Sequence, residues 1–401
     1  MILVEEAEHI IKSRVATWGT EDVPFEVAMG RVVAEDILAD RDLPPYNRVT
    51  MDGIAIAYQA FAIGVRKFLI KATQAAGDEP VDIESGDESI EIMTGAALPG
   101  TTDTVIPYEH LIVRDGIALV KDSIAVEQHQ NIHPKGVDKK QYGVLVAANR
   151  YVDSTTINIA AAVGKTMLSV KKLPRVVIIS TGDELVGVEE TPLPFQVRRS
   201  NNYAIQAVLA SYGLKPYLLH LPDDHAVIKQ HLQTCLDEYD VILLSGGVSM
   251  GKFDYVPQVL DELKLVKLFH KVQQRPGKPF WFGAHGGGAL VFAFPGNPVA
   301  TFMCLHRYFV PWLTESLGII DQKLFAMLDG NVVFTPELQY FLQVKLYVSG
   351  NGQLVGEPLA GNGSGDFANL TMATAFMELP ANRSEFAKGE IFRVWPFKRV
   401  V

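Results

Sequence analysis

The sequence predicts a multidomain protein of the α/β and β classes: a central α/β domain with a mostly parallel sheet, β-rich N-terminal domains and a small C-terminal β-barrel. Three observations carry this. From Pro174 to about residue 316, runs of β-branched and apolar residues alternate with helical patterns. Before that stretch, short strand-like runs are interrupted by glycines and prolines. After it, short alternating runs are separated by turn residues.

The elements follow in chain order. Ile2, Leu3, Ile10 and Ile11, with Glu5, Glu6 and Glu8 between them, form an amphipathic helix over residues 2–13. A second helix is expected over Pro24 to Ile37, with Pro24 near its first turn. Gly53-Ile54-Ala55-Ile56, Glu91-Ile92-Met93 and Thr104-Val105-Ile106 are strand-like, and Thr155 to Gly164 is a short helix ending at a glycine.

Val176-Val177-Ile178-Ile179 opens the central domain as a strand buried on both faces. A helix capped by Ser200-Asn201 and ended by Gly213 comes next. A strand at Tyr217-Leu218-Leu219, a helix over His225 to Tyr239 and a strand at Val241-Ile242-Leu243-Leu244 follow. The strand Leu290 to Phe294 leads into a helix from Asn297-Pro298 through Trp312. The last section places strands at Val332-Val333-Phe334, Phe341 to Val344, Ala375-Phe376-Met377 and Ile391 to Val394.

Composition narrows the function. The chain has 401 residues, 48% of them hydrophobic, enough for several cores. Its formal net charge of -10 disfavours a phosphate-backbone partner, so nucleic acid is not expected. The acidic N-terminus does not read as a secretory signal, and no apolar run is long enough to span a bilayer. Cys235 and Cys304 sit in apolar helical patterns and read as buried, reduced thiols. A cytoplasmic protein without membrane contact is expected.

Ligands of open α/β sheets bind beyond the carboxyl ends of the strands. Three loops leave such ends. Ser180-Thr181-Gly182-Asp183-Glu184 offers hydroxyls for a phosphate oxygen and carboxylates for a metal. Ser245-Gly246-Gly247-Val248-Ser249-Met250-Gly251 puts backbone N–H groups and hydroxyls within reach of an anion, and Asp254 follows. It lacks the Gly-Lys-Ser/Thr of a nucleotide P-loop. Pro295-Gly296-Asn297-Pro298 is explained as a helix start, with Asn297 as cap and Pro298 at the first turn. Taken singly, each has an ordinary structural explanation. Lys271, Arg275 and Lys278, held in a Pro/Gly-containing stretch of an otherwise acidic chain, form a candidate oxyanion clamp. Together these segments suit an anionic phosphorylated substrate and a divalent cation.

As an ordered set, Ser180-Thr181-Gly182-Asp183-Glu184-Leu185, Ser245 to Ser249, Pro276-Gly277-Lys278-Pro279 and Pro295-Gly296-Asn297-Pro298-Val299 resemble the motifs of molybdopterin molybdenumtransferases, the family of the gephyrin E domain. Met51-Asp52-Gly53, Met93-Thr94-Gly95-Ala96 and Gly136-Val137-Asp138 are similar to its N-terminal signatures, so the likeness spans nearly the whole chain.

The resemblance implies an elongated homodimer of four-domain subunits, with a central domain like the molybdopterin adenylyltransferases. The divisions are 1–26 with 141–173 (helical, linker and dimerisation), 27–140 (β-rich, carrying Asp52 and Thr94), 174–316 (α/β) and 317–401 (barrel). It implies that adenylylated molybdopterin and molybdate are substrates, that Mg²⁺ assists, and that AMP leaves as molybdenum is ligated. Other proteins of cofactor assembly are the partners it suggests.

By the same resemblance Asp52, Thr94, Glu184, Asp223 and Asp254 are catalytic, and Glu184, Asp223 and Asp254 are the metal ligands. Asp138 and Ser364 occupy further substrate positions. Ser180 to Asp183, Ser200, Asn201, Ser245, Gly246, Gly247, Ser249, Gly251, Lys271, Arg275, Pro276, Gly277, Lys278 and Pro295 to Pro298 line the substrate. The chain departs from the family pattern at Arg48, expected beside Asp52 and able to pair with it, and at His133, Val137, Ala300 and Gln343. Two alternatives remain open: an adenylyltransferase-like enzyme, and a non-catalytic molybdopterin-binding scaffold.

Overall fold

A computed structural model describes residues 1–247, 255–320, 322–361, 363 and 365–398. The chain forms two compact units. One comprises Met1–Ala34, Asn149–Asp153 and Ser169–Val401, the other Glu35–Ala148 and Ser154–Leu168.

The larger unit is built around a six-stranded sheet. Its strands are β1 Val176–Thr181, β2 Tyr217–Leu221, β3 Val241–Ser245, β4 Val266–His270, β5 Trp281–Ala284 and β6 Leu290–Phe294. They lie in the order β2-β1-β3-β6-β5-β4. The first four run parallel; β5 and β4 add an antiparallel edge. The edge pair was not foreseen from the sequence.

Alternation along each strand divides the core in two. Ile178, Leu243, Phe292 and Phe294 face one layer, formed with helix Asn201–Ala210, the N-terminal helix and the segment 298–316. Ile179, Ile242, Leu244 and Val291 face the other, formed with helices His225–Glu238 and Val256–Glu262. Each fully buried side chain of this size contributes about 1.5–3 kcal/mol. Cys235 and Cys304 are buried, free thiols, as expected.

The helix after β6 is not continuous. Pro298–Cys304 and Val310–Ser316 are α-helical, but Leu305–Phe309 between them is a π-helix. Pro311 cannot donate a backbone hydrogen bond, and a wider turn before it relieves the mismatch. All five residues of this turn are buried, including Arg307 and Tyr308. Arg307 lies between Glu8 of the N-terminal helix Val4–Lys12 (2.6 Å) and Glu378 (3.3 Å). Burial alone would raise the Glu8 carboxyl, but Arg307 and Lys12 outweigh it and hold it at about 2.

Five strands close a barrel at the C-terminal end. They are β7 Leu324–Leu328, β8 Gln339–Val348, β9 Leu354–Pro358, β10 Ala375–Leu379 and β11 Ile391–Pro396. The ring β8-β9-β7-β11-β10 is completed by pairing of β10 with β8. The expected barrel is therefore present; β7 and β9 were not read from the sequence.

The expected helix over Pro24 to Ile37 does not form. One 3₁₀ turn, Phe25–Val27, is followed by Gly30 at φ +78°. The backbone then pairs elsewhere: Val33 donates to Arg150 O and Ala34 to Ser169 O, both at 2.9 Å. These bonds compete with the helical ladder, and a left-handed glycine breaks it.

The smaller unit holds a second six-stranded sheet, which includes Gly53–Ile56, Lys67–Gln74, Glu88–Ile92 and Thr104–Pro107. Its short helices include Tyr58–Ala62 and Ser154–Ala162.

Candidate active site

Strands β1, β3 and β6 are neighbours and parallel. Ser180 pairs with Ser245, and Ser245 with Phe294, so the three loops leave the sheet level with one another. The chain reverses its direction of travel between β1 and β3, the position at which such sheets open a crevice. Thr181, Gly246 and Gly247 meet there. A Cβ on Gly246 would lie 3.0 Å from Thr181 O, and one on Gly247 2.6 Å from Thr181 Oγ1. Both glycines have positive φ, +99° and +66°. Only glycine permits that backbone and that approach.

A cleft of about 700 Å³ opens over these loops. The first loop lines it with Thr181, Gly182 and Glu184, the second with Gly246 and Gly247, the third with Pro295, Gly296 and Asn297. Asp223 also faces it, as do Arg275, Pro276, Gly277 and Lys278. Gly182 (φ +140°) lies under the Glu184 carboxylate: a Cβ there would be 2.6 Å from Oε2. Asp183 points elsewhere, accepting from Asp223 N at 3.1 Å. An adjoining pocket of about 770 Å³ shares Thr181, Glu184, Gly246 and Asn297, and is lined further by Ser180, Ser200, Asn201, Ser245 and Pro298.

The loops are tied by one side chain. Asn201 Nδ2 donates to Ser245 Oγ (2.9 Å) and to Gly296 O (2.8 Å), joining the second loop to the third. Ser180 Oγ lies 3.0 Å from His220 Nδ1 and accepts from Asn202 Nδ2 at 3.1 Å. The serine and histidine are cross-strand neighbours in β1 and β2. Burial, and then Arg199, depress the His220 pKa and favour its neutral form.

The cationic stretch divides. Arg275 and Lys278 face the cleft, exposed and free of ion pairs among the described residues. Lys271 is not among the cleft's residues; its backbone joins Phe280 O and Ile2 N instead. The Arg275 guanidinium stands 5.9 Å from the Phe334 ring, which stacks on Tyr340 at 4.1 Å. The barrel thus supplies one wall of the cleft through Phe334, Tyr340 and Gln343. Sequence reasoning missed this wall, although it had singled out Gln343 as a departure. Two buried polar atoms in the cleft's lining residues have no hydrogen-bond partner among the described residues, Thr181 Oγ1 and Gln343 Oε1.

The described residues contain no group of three or more His, Cys, Asp or Glu arranged to hold a metal. Glu184 and Asp223 nevertheless line one cleft. Two carboxylates completed by phosphate oxygens and water are a donor set that suits Mg²⁺. Ser249, Gly251, Asp254 and Ser364 lie outside the described residues.

In the smaller unit Asp52 and Thr94 are brought together by the pairing of Gly53 with Ile92. Thr94 donates to Asp52 Oδ1 from its amide (2.7 Å) and its hydroxyl (2.8 Å). These two bonds hold the Asp52 carboxyl below its usual pKa. Arg48 does not pair with Asp52; it forms no ion pair among the described residues. Its strand instead lies beside Ile132–His133. Asp138 Oδ1 meets His133 Nε2 at 2.8 Å.

Comparison with known proteins gives matches along nearly the whole chain. Residues 2–164 match the MoeA N-terminal region (domains I and II), 177–315 a probable molybdopterin binding domain, and 328–397 the MoeA C-terminal region (domain IV). A molybdopterin molybdenumtransferase from Synechocystis is 39% identical over 98% of this chain and 99% of its own. One from Staphylococcus epidermidis is 28% identical over 98% and 95%. A crystal structure of a molybdopterin biosynthesis MoeA protein from Pyrococcus horikoshii superimposes with a TM-score of 0.85, at 28% identity and full coverage of both chains. With its loops, cleft and barrel in this order, the chain belongs to the molybdopterin molybdenumtransferase family.

Proposed function

We propose that the cleft binds adenylylated molybdopterin and molybdate, and that molybdenum passes to the dithiolene as AMP leaves. The observation that carries this reading is a single cleft holding two cations, Arg275 and Lys278, that have no ion pair among the described residues, beside two carboxylates, Glu184 and Asp223. That combination suits an oxyanion and a phosphoanhydride bound together. Bound Mg²⁺ would neutralise phosphate charge, held by Glu184 and Asp223, with Asp254 as a third ligand.

The chain's own groups orient and select. Gly246 and Gly247 let phosphate oxygens approach the backbone, and Thr181 Oγ1 has an unused bond to offer. Arg275 and Lys278 hold the oxyanion. Cleavage of the phosphoanhydride breaks one P–O bond, adds water across it and frees AMP. No covalent enzyme intermediate is required; positioning and charge neutralisation suffice.

Asp52, Thr94 and Asp138 act in the same reaction from the smaller unit, and the working species is a cytoplasmic homodimer. The test is single turnover with adenylylated molybdopterin, Mg²⁺ and molybdate. AMP release that needs molybdate supports the reading. AMP release without molybdate, or ATP consumption with free molybdopterin, would favour an adenylyltransferase-like enzyme. Binding without AMP release would favour a scaffold.

A further inference from the structure

Directly before the cations of the cleft lies a glutamine that is completely buried. Gln274 is 0% exposed, and both ends of its amide are used. Its Oε1 accepts from the Tyr308 hydroxyl, and its Nε2 donates to Gly277 O at 2.9 Å. Tyr308 is also buried, which pushes its pKa well above the ordinary value, so the phenol keeps its proton. Gly277 O can only accept, so the amide NH₂ must face the loop and Oε1 is left to accept from the tyrosine.

Gly277 fits closely against this amide. At φ +88°, an added Cβ would stand 2.8 Å from Gln274 Nε2 and 2.7 Å from Cys304 Sγ. On the other side, Gln274-Arg275 pairs with Gln339-Tyr340 of β8. Tyr308 is turned inward by the π-helix, in the same five residues that send Arg307 to Glu8 and Glu378. A four-residue turn carrying two exposed cations is therefore anchored from within by one amide and one phenol.

We propose that Gln274, oriented by Tyr308, is the positioning residue that holds the Arg275–Lys278 turn with both cations toward the cleft. Gln274 borders the cleft but has no exposed surface, and Tyr308 is not among the cleft's residues. A free turn would have to be ordered at the moment of binding, and the anchoring removes that cost. The proposal rests on the function above only for what the cations bind.

Gln274→Met keeps the volume and removes the amide's hydrogen bonds to Tyr308, to Gly277 O and, at 3.6 Å, to Cys304 Sγ; Tyr308→Phe removes one. Leu232→Ala, in the opposite core layer, serves as a control that lowers Tm without touching the turn. Full-length proteins are compared by hydrogen exchange over residues 271–280 and by calorimetric titration with molybdate. Exchange in the turn should accelerate in Gln274→Met and, less, in Tyr308→Phe. Molybdate binding should weaken about tenfold in the first, with turnover at saturation within about twofold of wild type. The control should show neither change at a comparable fall in Tm. Wild-type exchange in Gln274→Met, or the same changes in the control, would overturn the proposal. If wild type binds no molybdate while Gln274→Met still loosens the turn, the positioning role stands and the oxyanion reading falls.

Discussion

Replacing Glu8 by glutamine isolates the charge that holds the N-terminal helix to the rest of the larger unit. The Arg307 side chain is 3% exposed and that of Glu8 21%. The glutamine keeps the shape and can still accept one bond. Arg307 retains Glu378 at 3.3 Å and the Trp395 ring at 4.3 Å, so the guanidinium is not orphaned. The Glu8 carboxyl falls from 4.5 to about 2 on folding, a difference that converts to about 3 kcal/mol at about 1.4 kcal/mol per unit. Partial exposure screens the pair, and about 2 kcal/mol is the expected loss. For a unit of this size that lowers Tm by about 4–8 °C.

The sign of the pH dependence follows from the depressed folded-state pKa. The contribution is complete above the unfolded value of 4.5 and disappears as pH falls toward about 2. Urea unfolding of wild type and Glu8→Gln at pH 7, 5, 4 and 3 measures it. The two should differ fully at pH 7 and 5 and converge below. Equal stability at pH 7, or a difference that stays constant down to pH 3, would refute the reasoning.

Three further outcomes are expected. Gly247→Ala places a Cβ 2.6 Å from Thr181 Oγ1 and 2.9 Å from Val256 Cγ2, at φ +66°; it should destabilise by more than about 1 kcal/mol and lose substrate binding, measured by denaturation and titration. The Thr94 amide is the larger of the two bonds that lower the Asp52 pKa and the hydroxyl the smaller; Thr94→Val removes only the hydroxyl, so the Asp52 carboxyl should rise part of the way toward its ordinary value. The acid limb of the pH–rate profile should then move to higher pH, and an unshifted limb would separate Asp52 from the reaction. Glu184→Gln should raise the Mg²⁺ concentration needed for half-maximal AMP release by at least about tenfold; an unchanged requirement would remove Glu184 from the metal's ligands.

The central sheet was legible because parallel strands covered on both faces read as continuous apolar runs, as in Val176–Thr181 and Val241–Ser245. Its order then makes the ends of β1, β3 and β6 adjacent, which is why three separate motifs form one cleft. Strand β5 escaped notice because Gly283 interrupts it; the missing side chain makes room for the Trp281 ring, 2.4 Å from where a Cβ would be. The Pro24 to Ile37 segment failed for the opposite reason. Its composition suits a helix, but its backbone partners lie more than a hundred residues away at Arg150 and Ser169.

The cleft's barrel wall was hidden for that reason too. Phe334 and Tyr340 reach Arg275 from about sixty residues further along the chain, and nothing local marks them. The sequence also could not separate Lys271 from Arg275 and Lys278. All three sit in one basic stretch, but Lys271 adopts φ +72° and its backbone is bonded to Phe280 and Ile2. Gln274 was passed over between cations, because nothing in the local sequence marks that glutamine as fully buried.

The most direct test of the account is AMP release from adenylylated molybdopterin by the purified full-length protein, with Mg²⁺ present and molybdate added or withheld. Release should depend on molybdate, be accompanied by active cofactor, and weaken when Arg275 or Lys278 is neutralised. Tight binding of adenylylated molybdopterin with no AMP release at saturating molybdate would contradict it.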